Sequence, residues 1–387
     1  MQTIAQNWLV YRVLGGTARE LGLVNFVGAV PLVPLTLHAG AVADRFPRRW
    51  IVFWMQAVMM LLAFVLAYLC WSGQVRYWHV VLLAALLGAA QAVDTPARQA
   101  FVVELAGKED MANAIALNSG IFHGARVLGP AVAGILVAAV GIPAAFLVNA
   151  VSFVAVLGCL VAMDGSALHL SPPHRGDDGG LLAGARYLAR NRPVRGLFYL
   201  IFWSAFLTMP YHVLVPIYAR EVFGGEAGTY GILMSAAGLG AVTGSLVVAS
   251  GYSTARKERV LLAGTVLAPL CLLAFAFCRA WWLALAILPV LGFALVLQAA
   301  PANAILQTAV PDHLRGRVMA LYVSLFLGMM RAGSLILGLL AASFTPQWAL
   351  FAAGAGTVAA SSVVYLRYPE LLRPVTPAWN DGAGDGP

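Results

Sequence analysis

Apolar runs of about twenty residues recur from one end of this chain to the other, and that rhythm constrains the fold more than any other feature. A helix needs roughly 20 such residues to cross the hydrocarbon core of a bilayer. Charges and Gly/Pro clusters bound the runs at 1–14, 20–43, 50–72, 77–95, 112–139, 143–163, 195–219, 228–250, 259–278, 281–300, 316–343 and 347–366, and all but the first are long enough to span. Only 10% of the 387 residues are charged and 61% are hydrophobic, whereas a soluble domain carries about 25% charge. Backbone amides in hydrocarbon must be bonded internally, by helices or a closed barrel, and no run shows the polar alternation of barrel strands. The expected fold is an all-α membrane protein with twelve transmembrane helices.

The excess of 24 Lys and Arg over 16 Asp and Glu would suggest a nucleic-acid partner in a soluble protein. Here it sorts by loop. Seventeen basic residues fall in the 2–3, 4–5, 6–7, 8–9 and 10–11 loops and the tail, five in the opposite loops, and Arg126 and Arg331 lie inside spans. By the positive-inside rule the first set and the C-terminus are cytoplasmic. No nucleic-acid partner is expected. Cys70, Cys159, Cys271 and Cys278 have neither pairing spacing nor companion histidines, so neither a disulfide framework nor a metal site is expected.

The longest hydrophilic stretch, 164–193, has linker composition and ends in a basic surface helix, LLAGARYLARNR. It divides the chain into a bundle of helices 1–6 at 1–163, the linker, a bundle of helices 7–12 at 194–367 and a tail at 368–387. The halves repeat. A shift of 205 sets Pro96-Ala97 on Pro301-Ala302, Ser119 on Ser324 and Arg126 on Arg331. A shift of 207–209 sets Tyr11 on Tyr218, Gly15-Gly16 on Gly224-Gly225 and Gly22 on Gly231. Such repeats are a common transporter plan. Helix 7 reaches from Arg195 to Tyr218, whereas its counterpart has only Met1 to Tyr11. The expectation is therefore that helix 1 is N-terminally truncated, with Met1 either an internal methionine or the result of a truncated gene.

The 2–3 loop carries Gly40, Asp44, Arg45, Pro47, Arg48 and Arg49. It resembles the loop signature of the major facilitator superfamily, with Pro47 where the family has glycine. DTPARQAFVVELAGKEDMANAIALNSGIFHGARVLGPAVAG (94–134) and VPDHLRGRVMALYVSLFLG (310–328) are similar to the enterobactin-exporter branch and related bacterial transmembrane secretion proteins. The resemblance implies the two-bundle fold, a bacterial inner membrane and a gating cluster. In that cluster Asp94 pairs with a motif arginine, Arg45 above all, and Asp44 faces the N-terminal end of helix 11, where the dipole favours an anion. Gly124, Gly129, Pro130 and Gly134 resemble the helix 5 motif of proton-coupled antiporters.

A guanidinium at mid-membrane costs roughly 3 kcal/mol on insertion scales, so Arg126 and Arg331 call for a water-filled cavity or a partner. No acidic residue lies at that depth. Two arginines without a carboxylate invite an anionic substrate, and Ser119, His123 and Arg126 share a face of helix 5. Bonds from Arg126 to carbonyls, Asn25 or Gln6 are the competing account. Trp203 and Tyr211 could stack on a ligand or simply pack, and Gln298 adds a polar group in helix 10. His123 and His212 are candidate proton carriers, since histidine titrates near neutral pH; a titrating group in the missing part of helix 1, or none at all, are the alternatives. Helices 9 and 12 hold little beyond Ser and Thr and are expected to face lipid.

The chain lacks His-Glu-x-x-His, a nucleophile elbow and a Walker loop, so neither enzymatic activity nor a cofactor is expected. The expected partners are the bilayer, a small-molecule substrate and protons, around a monomer. The expected function is proton-coupled export of a small amphipathic or anionic compound, siderophore-like or drug-like. A metabolite importer or uniporter of the same fold is the alternative, and a non-transporting sensor is a remoter one.

Overall fold

A computed structural model describes residues 2–31, 35, 46–106, 111–164, 180–250 and 257–372. Helix 1 is Gln2–Trp8 followed by a π-helical turn, Leu9–Val13, and helix 2 is described as Ala18–Val27. Helix 3 is Arg48–Trp71 and helix 4 is Tyr77–Ala106. Helices 5 and 6 form one run, Met111–Ala162, broken at Gly141, where φ is 85°. An amphipathic helix, Gly180–Arg190, precedes helix 7, which begins as Arg192–Trp203 and continues through irregular turns to Val222. Helices 8 to 12 are Ala227–Ala249, Lys257–Ala276, Trp281–Ala309, Asp312–Ser343 and Pro346–Arg367. Among the described residues nine segments are long and apolar enough to span. The rest of helix 2, expected to reach 43, lies largely outside the described residues.

Helices 4 and 10 outrun their expected ends at 95 and 300, and for the same reason. Pro96 and Pro301 read as stops in the sequence, yet each sits inside a continuing helix. A proline removes one backbone donor and bends the helix. In a membrane bundle neighbouring groups can satisfy the freed carbonyl. The following alanines, Ala97 and Ala302, are fully buried.

The chain divides into two compact units, Met1–Arg175 with Gly224–Ile232, and Gly176–Phe223 with Leu233–Pro387. The basic helix expected in the linker belongs to the second. Tyr187 and Leu188 pack on its core, and the Tyr187 hydroxyl donates to the Ala309 carbonyl at 3.1 Å. Burial raises the Tyr187 pKa, against a smaller lowering by its bond from Asn191. Asn191 then caps helix 7, accepting from the Val194 amide at 3.0 Å. The start of the tail also packs. Tyr368 and Leu371 are buried with Val194, Leu197 and Val364.

Helix 3 shows how the outer surface is written. Trp50, Trp54, Val58, Leu61, Val65 and Tyr68 form an exposed stripe at helical spacing, while Val52, Met59, Ala63 and Leu66 are buried. The helix is about 36 Å long, and aromatic residues stand at both ends of its exposed face, as membrane interfaces favour.

The repeat reaches the backbone. A π-helical turn closes helix 1 at Leu9–Val13 and helix 7 at Tyr218–Val222. Gly15 and Gly224 follow with φ of 64° and 63°. Crossings repeat as well. A Cβ on Gly88 of helix 4 would lie 1.7 Å from the Gly28 carbonyl oxygen beyond helix 2, and one on Gly292 of helix 10 would lie 1.9 Å from that of Ala237 in helix 8.

Candidate functional site

In the first unit, the described part of the loop signature is anchored by ion pairing. Arg48 Nη1 lies 2.7 Å from Glu104 Oε1, with side chains 15% and 6% exposed. Arg49 donates to the Val161 carbonyl at 3.0 Å and lies over the Trp50 ring. Asp94 is 2% exposed, accepts from Gln56 Nε2 at 2.9 Å and lies 3.4 Å from Arg98 Nε. Gly40, Asp44 and Arg45 lie outside the described residues, and with them the expected Asp94–Arg45 pair. Glu104 and Gln56 were not singled out in the sequence. Ending helix 4 at 95 placed Glu104 in a loop, and Gln56 is a lone amide in an apolar run.

A second polar group of the same unit joins helices 1 and 2 to the first turn of helix 8. Asn25 Nδ2 donates to Asn7 Oδ1 at 3.0 Å and to the Leu21 carbonyl at 2.9 Å. Asn7 Nδ2 donates to the Tyr230 hydroxyl at 3.4 Å, and Trp8 stacks on the Tyr230 ring. All four side chains are at most 5% exposed. Of the helix 5 motif, Gly134 meets Gly231 so closely that a Cβ on either would fall 2.8 Å from the other's Cα, and Pro130 offers its carbonyl to the same crossing. Small residues permit such approaches. The side chains of Ser119, His123, Gly124 and Arg126 lie outside the described set, and Gly129 is half-buried.

In the second unit, helix 7 supplies most of the expected site. After Trp203 it passes through a π-helical turn, Ser204–Thr208, and a 3-10 turn, Met209–Val213. Local irregularities of this kind often mark functional hinges. Trp203 is half-buried beside Phe202 and Phe206, at ring distances of 5.0 and 6.4 Å. Tyr211 is buried. His212 is half-buried, and its Nδ1 lies 2.9 Å from the Met209 carbonyl, a bond that requires the proton on Nδ1. Arg331 is half-buried on helix 11.

Gln298 is engaged inside the bundle. Its Oε1 accepts from Ser204 Oγ at 2.5 Å and its Nε2 donates to Thr265 Oγ1 at 3.4 Å. Thr208 and Thr357 hydroxyls meet at 2.9 Å. Thr265 of helix 9 and Thr357 and Ser361 of helix 12 are therefore interior groups. This corrects the expectation that helices 9 and 12 simply face lipid: each turns one hydroxyl-bearing face inward. Among the described residues no group of three His, Cys, Asp or Glu side chains is placed to hold a metal.

A family profile described as transmembrane secretion effector matches residues 1–373. The chain belongs to this family of major facilitator transporters. The transporter is 26% identical to the staphyloferrin A transporter of Staphylococcus aureus over 94% of its own length and 90% of that protein. It is 27% identical to the multidrug efflux pump Tap of Mycolicibacterium fortuitum, over 86% and 84%. With the enterobactin exporter EntS of Escherichia coli it shares 26% identity over 92% and 84%. Among solved structures it resembles a bacterial homologue of the human lysosomal transporter Spinster, with TM-score 0.74, 12% identity and coverage of 96% and 94%. The nucleoside transporter NupG gives TM-score 0.76 at 13% identity, covering 95% and 94%. At those identities the likeness establishes the fold. The transporter is not an enzyme.

Proposed function

We propose that this transporter exports a small anionic or amphipathic compound, siderophore-like or drug-like, from the bacterial cytoplasm by proton-coupled alternating access, with its C-terminus cytoplasmic. The observation that carries the reading is full-length similarity to proteins described as an enterobactin exporter and a multidrug efflux pump. The arginines at mid-span, Arg126 and Arg331, favour a negative group on the substrate, because intramembrane cations typically mark a substrate path. Trp203 and Tyr211 supply aromatic faces on helix 7. Asn25 and Gln298 hold the bundles, their amides being committed to Asn7 and to Ser204 and Thr265. Asp44, Arg45 and Asp94 form the gate that the resemblance implies, with Arg48–Glu104 bracing it. His212 carries the proton, since an imidazole titrates near neutral pH.

Everted membrane vesicles test this. Under an imposed inward-acid gradient they should accumulate a catecholate or an organic anion, and a protonophore should abolish the uptake. Accumulation only in right-side-out vesicles would establish import. A preference for organic cations would remove the arginine argument.

A further inference from the structure

The corner where helix 7 begins and helix 12 ends concentrates two features that the transport reading does not use. The first is a run of arginines. Arg192 Nε lies 3.2 Å from Glu370 Oε1, and its Nη2 donates to the Arg367 carbonyl at 2.8 Å. Arg195 donates to the Tyr368 hydroxyl at 3.3 Å and to the Ala189 carbonyl at 2.5 Å. Both guanidiniums lie 5.8 Å from the centre of the Tyr368 ring. These bonds fix the end of the amphipathic helix, the start of helix 7 and the end of helix 12 against one another. Arg186, Arg190 and Arg367 stand exposed around this knot, with no acidic group within ion-pair distance among the described residues.

The second feature is apolar and adjoins the first. Leu366 is 83% exposed, Val363 63% and Tyr199 44%. Val363 is one turn into helix 12 from Arg367. Tyr199 is about two turns, roughly 10 Å, into helix 7 from Arg192, and its ring lies 6.0 Å from that of Tyr368. An apolar strip exposed to lipid therefore runs into the membrane directly below these exposed cations.

We propose that this corner binds an anionic phospholipid, with its phosphate on Arg190 and Arg367 and its acyl chains along Tyr199, Val363 and Leu366. A phosphate alone would need the cations but not the strip, and a hydrocarbon chain alone would need the strip but not the cations. Arginine suits a phosphate because its planar fork bonds two oxygens at once. Each basic residue at a membrane surface strengthens attraction to anionic lipid about fivefold.

The test is native mass spectrometry of the purified full chain offered equimolar phosphatidylglycerol and phosphatidylethanolamine with matched acyl chains. The chain should retain phosphatidylglycerol at least about 25-fold over its competitor, from two arginines at about fivefold each. Arg190→Gln with Arg367→Gln should lower that preference about 25-fold, Arg190→Lys with Arg367→Lys should largely keep it, and Arg76→Gln with Arg279→Gln on the opposite loops should leave it unchanged. Val363→Ser with Leu366→Ser should weaken retention of both lipids. Millimolar glycerol phosphate should displace neither. Equal retention of the two lipids by the unaltered chain would overturn the proposal. So would an equal loss in the opposite-loop variant, or displacement by glycerol phosphate, which would mark a free-anion site. Matched melting temperatures show that each variant is folded; if the glutamine pair fails this, the lysine pair and the serine pair decide.

Discussion

Gly292 lets helices 8 and 10 touch backbone to backbone, and Gly292→Ala measures how firmly. Its new Cβ would stand 1.9 Å from the Ala237 carbonyl oxygen, while ordinary contact begins at 3.4 Å, so one helix must move by roughly 1.5 Å. No side-chain rotamer can relieve the clash, because the obstacle is backbone. Overpacking costs typically 1–3 kcal/mol, and a backbone obstacle places the cost near the top of that range. The better helix propensity of alanine returns up to about 1 kcal/mol. A net loss of about 2 kcal/mol follows, or roughly 2–3 °C in a chain of this size. Gly158→Ala is the control, because nothing lies within 4 Å of a Cβ there, and it should melt at or slightly above the unaltered protein. A thiol-reactive dye reads the transition, since Cys271 and Cys278 are free and buried and become reactive only on unfolding. If Gly292→Ala melts with Gly158→Ala, the helix 8–10 approach is not as close as described, and the repeat with Gly88 and Gly28 loses its packing argument.

Four further outcomes follow. Removing either partner of Arg48–Glu104 leaves a charge with under a sixth of its surface exposed, so Glu104→Gln should cost about 3 kcal/mol; adding Arg48→Gln should recover part of the lost melting temperature, and strict additivity would show no coupling. Asn25→Leu should lose about 1 kcal/mol by removing the partner of Asn7 Oδ1, a mean value for interhelical polar pairs in membranes being somewhat lower; an unchanged melting curve would show that the bond is worth nothing. For topology, single cysteines at Ser72 and Arg186 should label from opposite sides of intact cells, and labelling from one side would refute the orientation drawn from the arginines. His212→Asn should flatten the pH dependence of uptake into everted vesicles between pH 6 and 8 while leaving binding intact; a retained pH profile would move the proton carrier elsewhere.

The sequence reveals period and charge, and these sufficed for the membrane class and the all-helical fold. Gly141 falls in the gap expected between helices 5 and 6, and its φ of 85° is why the chain breaks there. Positions where one residue plays against its usual meaning were not legible. Pro96 and Pro301 read as helix ends, but continuation depends on groups from other helices, which no local pattern encodes. Thr265 and Thr357 read as neutral filler on lipid-facing helices because a hydroxyl bonded to a side chain 33 or 149 residues away has no local signature. Gln298 was visible as polar, but its direction was not. Glu104 was hidden by the misplaced end of helix 4. Asp94 entered through the family resemblance, and the structure shows it buried with Gln56 and Arg98 as its partners.

The break in helix 7 illustrates how a sequence feature becomes a contact between helices. Pro210 has no amide proton, so the carbonyl of Phe206, four residues earlier, loses its α-helical partner. The preceding turn widens to a π-helix over Ser204–Thr208 and the following one tightens to a 3-10 turn, displacing the chain at the proline. A Cβ on Gly333 of helix 11 would lie 1.9 Å from that same Phe206 oxygen and 2.7 Å from Pro210 Cγ. Glycine therefore seats helix 11 in the notch, with a Cα hydrogen where any other residue would put carbon, a weak but recurrent contact for such a carbonyl. Arg331 stands two residues away on another face of the same helix, so a shift of helix 11 at the notch carries that guanidinium with it. Gly333→Ala would push helix 11 outward without touching any charge. If Arg331 reads the substrate's negative group, that substitution should raise the KM for an anionic substrate and leave the KM for a neutral analogue unmoved. Equal effects on both would mean that the notch matters for packing alone.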